Sequence, residues 1–369
     1  MNLYIAFELS KNNWKLAFST GESIRKRTIS AGDREAFHAE LEKTRTLWKL
    51  PADIAVYSVY EAGRDGFWIH RWLESLGIRN LVVDPASIEV NRRKRHLKTD
   101  SIDVDKLLRQ LMRYHAGEHK LWSVVRVPTP EAEDERRRER EIKALKKERT
   151  MLNNRIKAHL FAQCCKPKTL RHLPQQIEEM RQWNGEALPP VLKEEILRTW
   201  ERLQLIEEQI RHLEKARAET LAQPLSEAQG KAVRLASLRG VGPIGAMLLC
   251  VEFFGWRRFR NVREVGACAG LTGTAYDSGE SRREQGISKA GNRRVRAVVI
   301  ELAWSWLRHQ PDSALSRWFQ ERFGVGKRNR RIGIVAMGRK LLVALWKYLE
   351  KGELPEGARL KTTGDAAAT

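Results

Sequence analysis

Apolar and polar positions alternate in three short bursts at the start of the chain, NLYIAFELS, WKLAFST and SIRKRTIS, separated by the turn-prone KNN and TGE. Period-two runs rich in β-branched and aromatic residues predict strands, and breaks this short predict an antiparallel meander. The period then changes. REAFHAELEKTRTLWKL spaces its apolar residues helically, IAVYSVYEAG is an almost unbroken apolar strand, FWIHRWLESLG is amphipathic and ends in glycine, and NLVVDP is another buried strand. The order βββαβαβα predicts an α/β domain whose sheet is antiparallel at one side and parallel at the other.

From about residue 131 the pattern becomes that of long helices. EAEDERRRERE is charged throughout and leads into IKALKKERTMLNNRIKAHL, where Ile142, Leu145, Leu152 and Ile156 fall near one face. A second helix runs from about Val191 with Leu192, Ile196, Leu203, Ile206, Ile210 and Leu213 at three-four spacing; Pro174, Gly185, Pro189 and Pro190 lie in the break. An antiparallel hairpin within one chain and a dimerising coiled coil both fit this periodicity. The run Arg136 to Arg140 reads most simply as a solvated helix face, with specific nucleic-acid contact the alternative.

A third region opens with LASLRGVGPIGAMLLCVEFFG: helix, GVG turn with Pro243, helix. It fits a phosphate-binding turn and an ordinary αα-hairpin equally. VVIELAWSWLRH and IGIVAMGRKLLVALWKYLEKG predict core helices that Gly333 and Gly338 allow to pack closely. The expected organisation is an α/β domain over 1–128, a coiled-coil region over 129–228, a mainly helical domain over 229–352 and a disordered tail over 353–369.

Composition narrows the partners. Among 369 residues, 68 Lys and Arg face 46 Asp and Glu, a net charge of +22 that self-repels unless a polyanion is bound. Nucleic acid is the expected partner. No apolar run reaches transmembrane length and the N-terminus lacks a signal-peptide pattern, so a cytoplasmic protein acting at the nucleoid, with no membrane partner, is expected. Cys164, Cys165, Cys250 and Cys268 lack zinc-site spacing. A metal here is expected on oxygen ligands.

Glu8 lies within the first apolar strand and Glu61 ends the run IAVYSVY. An acid in such a strand costs on the order of several kcal/mol unless something cationic meets it. In KTDSIDVDKLLRQLMR, Asp100 and Asp103 share one side of a predicted helix while Asp105 is turned away. Four carboxylates from two strands and a helix suit Mg²⁺ or Mn²⁺, and two such ions serve in-line phosphoryl displacement. Taken singly, Glu8 also fits a sheet edge and Asp100 a helix cap; Asp84, before Pro85, fits a substitute ligand or a turn. Arg92, Arg93, Lys94, Arg95 and Lys98 stand just upstream of the aspartates, where a phosphodiester would arrive.

The stretch LTGTAYDSGESRREQGISKAGNRRVR, dotted with glycine, reads as a loop and sets Ser278 and Gly279 ahead of Arg282, Arg283, Lys289, Arg293, Arg294 and Arg296. A hydroxyl that attacks phosphorus needs neighbours that neutralise the phosphate oxygens, and Gly279, Gly286 and Gly291 let backbone come close. A loop-capping role for Ser278 also fits, and Ser281 and Ser288 are nearby alternatives.

These motifs carry a resemblance. IAFELSKN, YEAGRDGFWIHRWL, RRKRHLKTDSIDVDKL, LRGVGPIGA and AGLTGTAYDSGESRREQGISKAGNRRVR, in this order over nearly the whole chain, resemble the DEDD-type insertion-sequence transposases, the bridge-RNA-guided serine recombinases. The resemblance implies an N-terminal ribonuclease-H-like (RuvC-like) domain, a coiled-coil insertion and a C-terminal transposase domain. It implies the acidic tetrad Glu8, Glu61, Asp100 and Asp103 holding Mg²⁺ or Mn²⁺, with Ser278 as nucleophile forming a phosphoserine link to DNA. Tetrad and serine would come from different subunits of a dimer or tetramer, and a structured guide (bridge) RNA would select target and donor DNA. The family carries Asp where this chain has Glu8, which lengthens the ligand by roughly 1.5 Å. Two other functions fit the residues alone: a hydrolytic metal-dependent nuclease of Holliday-junction-resolvase type, and a catalytically inactive nucleic-acid-binding protein.

Overall fold

The computed structural model describes residues 1–88, 100–278 and 281–362, with backbone alone for 100–103, 274–278 and 281–285. The chain divides into two compact units, Met1–Val127 and Pro128–Thr369.

The first unit is built on strands β1 (Asn2–Leu9), β2 (Asn13–Ser19) and β3 (Ile24–Ser30), helix α1 (Arg34–Leu47), β4 (Ala55–Glu61), α2 (Trp68–Ser75), β5 (Arg79–Val83) and α3 (Asp100–His115). Its sheet runs β3-β2-β1-β4-β5, antiparallel through the first three strands and parallel from β1 to β5. The α/β pattern read from the sequence is therefore the one that forms. Period-two alternation sends Leu3, Ile5 and Phe7 of β1 to one face, where they bury with Trp14, Leu16 and Phe18 of β2, Phe37 of α1 and Ile69 and Leu73 of α2. The other face carries Ala6, Ala17, Val59 and Val83 and is covered by Val104, Leu107, Leu108 and Leu111 of α3. Its small residues let the helix sit close. The far end of α3 is fixed by His115, whose Nδ1 lies 3.0 Å from the Tyr4 hydroxyl and whose ring centroid is 4.1 Å from that of Tyr57.

The second unit contains α4 (Pro130–Ala162), α5 (Leu173–Glu179), α6 (Pro190–Ala222), α7 (Glu227–Ala236), α8 (Pro243–Leu249), a π turn at Cys250–Phe254, α9 (Val262–Cys268), β6 (Gly273–Ser278), β7 (Ser281–Ile287), α10 (Arg293–His309), α11 (Ala314–Phe323) and α12 (Lys327–Lys351). Helices α4 and α6 are antiparallel partners within one chain. Arg217 and Glu139 lie 3.3 Å apart, Lys146 and Glu214 2.6 Å, and His159 and Glu195 3.3 Å, so the start of one helix meets the end of the other. The far end of this hairpin has its own core, in which Leu152, Ile156 and Leu160 meet Leu173, Ile177, Ile196 and Leu203. A larger core joins α7 to α12 around Phe253, Phe254, Val299, Trp306, Phe319 and Leu341.

Two expectations are corrected here. The segment 273–287, read as a loop, forms the antiparallel β6–β7 hairpin, with Ser278 opposite Ser281. The tail expected to be disordered from Glu353 is ordered through Thr362. Arg359 accepts a hydrogen bond from the Arg239 N–H at 3.1 Å, Gln310 bonds both backbone groups of Arg359, and Leu360 bridges Leu238. Backbone pairing holds this segment, and a polar side-chain pattern gives no sign of it. The same segment engages the GVG turn, whose Val241 carbonyl accepts from Lys361 Nζ at 3.1 Å. Residues 363–369 lie outside the described residues.

Candidate functional site

At the C-terminal end of the parallel strands, the register pairs Phe7 with Tyr60, which places Glu8 and Glu61 side by side one step further on. Both alternate with Ala6 and Val59, so they belong to the face covered by α3. Neighbours on paired strands stand about 5 Å apart at Cβ. Two half-buried carboxylates at that spacing repel unless a cation is shared between them. On the other side of Glu8, β2 contributes Lys15 as its cross-strand neighbour. Glu8 and Glu61 line a cleft of about 200 Å³ together with Arg64 and Asp65.

Helix α3 runs antiparallel to β1, because its last residue sits at Tyr4 near the strand's beginning. From His115 back to Asp103 is about 18 Å of helix; from Tyr4 forward to Glu8 is about 13 Å of strand. The first turn of α3, carrying Asp100 and Asp103, therefore falls at the end of the sheet that carries the two glutamates. The side chains of Asp100 and Asp103 are not among those described. Among the described residues no three His, Cys, Asp or Glu form a metal-binding group. Of the remaining candidates, Asp105 reaches Lys26 of β3 at 2.5 Å, away from the cleft. Asp84 accepts from the Ala86 N–H at 3.0 Å and makes the turn after β5. Arg92, Arg93, Lys94, Arg95 and Lys98 lie outside the described residues.

The second unit positions Ser278 by the base of its hairpin. The Ser288 N–H bonds Thr272 O at 2.8 Å, Lys289 N–H bonds Gly270 O at 3.2 Å, and Asn292 N–H bonds Cys268 O at 2.9 Å. Gly291 has φ +112°, and a Cβ there would lie 2.4 Å from Cys268 O. No other residue fits so close to the chain at that backbone angle. Asn292 caps α10, its Oδ1 accepting from Arg294 and Val295, while its Nδ2 donates to Glu252 at 3.3 Å.

Glu252 is the residue that the sequence reading missed. It sits in the π turn, 1% exposed, and meets Arg140 of α4 bidentately at 2.7 and 2.9 Å. Arg294 Nε lies 4.0 Å away. Burial alone would push its carboxyl up, but the hydrogen bonds and charge of Arg140, the Asn292 amide and Arg294 outweigh this and hold it below the usual carboxylate range. The signal was present, since a lone acid inside LLCVEFFG must have a partner. The run Arg136 to Arg140 is accordingly solvated only in part: Arg137 is exposed, but Arg140 is engaged by Glu252, and Arg136, 6% exposed, stacks on Trp256 at 5.1 Å.

Of the expected phosphate-facing cations, Lys289 and Arg293 are exposed beside the hairpin base. Arg294 is exposed but lies near Glu252, and Arg296 is half-buried with its Nη1 on Ala269 O at 3.0 Å, holding the base together. Arg282 and Arg283 lie on β7 opposite Asp277 and Tyr276; their side chains, like that of Ser278, are not described. No helix among the described residues is long and apolar enough to cross a membrane.

Comparison with known proteins adds the family. The model of the transposase IS116/IS110/IS902 family matches residues 232–317, the stretch from α7 through the hairpin into α11. The chain is 42% identical to "Putative transposase y4rJ" of Sinorhizobium fredii (strain NBRC 101917 / NGR234), over 98% of its own length and 95% of that protein. It is 27% identical to "Putative transposase y4qE" of the same strain, over 68% of this chain and 58% of the relative. Identity to the "Transposase for insertion sequence element IS1328" of Yersinia enterocolitica is 25%, over 45% and 48% of the two chains.

Proposed function

From a chain that belongs to the IS116/IS110/IS902 family of transposases, we propose a recombinase that cuts and rejoins DNA through Ser278, with an RNA guide choosing the sites. The first unit is read as ribonuclease-H-like and the second as the transposase domain on its helical arm. The observation that carries this reading is the meeting of Glu8 and Glu61 at the C-terminal end of two parallel strands, beside the first turn of α3 with Asp100 and Asp103.

Hard oxygen donors facing a small cleft fit Mg²⁺ or Mn²⁺, and Glu8, Glu61, Asp100 and Asp103 would hold it. When bound, the metal supplies neutralisation of the phosphate oxygens. Ser278 Oγ forms a bond to phosphorus as the bond to one DNA oxygen breaks; the serine proton leaves and the departing oxygen takes up a proton. The resulting ester keeps the strand attached until another strand's hydroxyl attacks it, breaking the serine–phosphorus bond and freeing the hydroxyl. Lys289 and Arg293, exposed beside the hairpin base, neutralise the phosphate on approach. Acids and serine from different copies of the chain would complete one site, in a dimer or tetramer.

The test is covalent capture. Protein, guide RNA and labelled DNA are mixed and denatured, and DNA is expected to remain on the protein. Ser278→Ala is expected to abolish both the adduct and rejoining. Cleavage by Ser278→Ala at the parent rate, releasing free ends, would instead establish the hydrolytic nuclease.

A further inference from the structure

The far end of the α4–α6 hairpin carries a feature that the strand-end cleft and the serine hairpin leave unused. From Arg149 to Ile177 the chain has Arg149, Arg155, Lys157, Lys166, Lys168 and Arg171 and not one Asp or Glu. A groove of about 670 Å³, within the range of roughly 300–1,000 Å³ typical of ligand sites, opens there. Its walls include Lys157 and Phe161 of α4, Lys168 and Arg171 of the connection to α5, and Gln204 and Glu207 of α6. Lys157, Lys168 and Arg171 are all exposed, and among the described residues none of the three has an ion-pair partner. Nearer the start of α4, Lys146 is paired with Glu214 and Glu139 with Arg217. Phe161 is 53% exposed on the groove wall, although a separate core a turn away shows that this end can bury apolar side chains.

The groove keeps its shape because its floor is anchored. The connection after α4 turns at Cys164, with φ +65°, and is tied down by Cys165 in the core and by the Trp200 Nε1 bond to Leu170 O at 2.8 Å. Three such cations against one carboxylate, with an open aromatic face, match a sugar-phosphate backbone whose bases are unpaired.

We propose that this groove binds a single-stranded stretch of nucleic acid, with Lys157, Lys168 and Arg171 on its phosphates and a base stacked on Phe161. The proposal depends on the chain handling nucleic acid but not on the serine or the acids, so the full-length Ser278→Ala protein serves as the background for the test. Fluorescent single-stranded RNA, single-stranded DNA of the same sequence and the DNA duplex are titrated across a range of salt concentrations. With Lys157→Ala, Lys168→Ala and Arg171→Ala combined, the slope of log affinity against log salt should become shallower by about 2 for a single strand, at roughly 0.7 for each phosphate no longer neutralised. Phe161→Ala should weaken single-strand binding about fivefold or more, as expected for one base stack, with the slope unchanged.

A loss confined to RNA supports a guide strand as the ligand, and a loss confined to single-stranded DNA supports an unpaired DNA strand; a loss on both supports the shared chemistry. The proposal is overturned if the slope is unchanged, or if duplex binding falls as much as single-strand binding while Phe161→Ala has no effect. It is also overturned if the substitutions change the oligomeric state in gel filtration, because the groove is then an interface between copies. None of these outcomes alters the covalent-capture result.

Discussion

The two units each hold a cluster built around a carboxylate, and the clusters are opposites. At the end of β1 and β4, two half-buried glutamates stand side by side on a cleft, with the start of an aspartate-bearing helix beside them. In the second unit, one fully buried glutamate is surrounded by two arginines and an asparagine amide. Acids gathered next to acids gain from a shared cation, which is the role proposed above for that arrangement. An acid matched to cations in the interior needs nothing more, and it serves to hold elements together. Glu252 thereby fastens α4 to the base of the hairpin that carries Ser278.

The contrast is tested most severely by Glu61→Gln. Cleavage of labelled DNA should fall by more than the roughly 10- to 100-fold that loss of an outer metal partner costs, while the unfolding midpoint should move far less than it does for a buried ion pair. A parent-like rate would remove Glu61 from the chemistry. Glu252→Ala should act the other way, destabilising the second unit by about 3 kcal/mol in denaturant titrations; the loss lies at the low end because Arg140 can still reach water. Glu252→Gln should lose roughly half as much, keeping one hydrogen bond. An unchanged midpoint would mean that the clamp carries no load.

Next in size is Gly291→Ala, where positive φ and the close approach to Cys268 O should together cost about 2 kcal/mol. Proteolysis at the hairpin base should rise accordingly. The smallest effect is on pH dependence. Glu252 is held below the ordinary carboxylate value, so the native state binds fewer protons than the unfolded chain. The stability this confers is whole above about pH 4.3 and is lost as pH falls towards the lower folded value. Glu139 of α4 has the opposite sign: burial raises its carboxyl against the pull of Arg217, so stability rises as pH falls through the window above about pH 4.3. Acid titration of the midpoint should therefore be flatter for Glu252→Gln below that value, and Glu139→Gln should remove the rise above it.

Much of this was legible in the residues. Period-two strands and three-four helices gave both the mixed sheet and the paired long helices, because burial of one face fixes those periods. Which helices pair was not legible, since a hairpin and a dimer bury the same stripe. The β6–β7 hairpin escaped notice because a strand as polar as SRREQGI carries no alternation. Arg136 and Arg140 looked solvated because local sequence cannot show that Trp256 and Glu252, more than a hundred residues on, cover them. Glu8 and Glu61 were found from one rule, that an acid in an apolar run needs an explanation; applied to LLCVEFFG, the same rule finds Glu252.

Helix α4 spans 33 residues, which at 1.5 Å per residue is about 50 Å of rigid rod. Set beside B-form DNA at about 3.4 Å per step, that length covers about fifteen base pairs. On the proposed reading, a beam braced along its side by α6 and riveted a third of the way along to Glu252 would gauge separations that a slack tether would leave unmeasured.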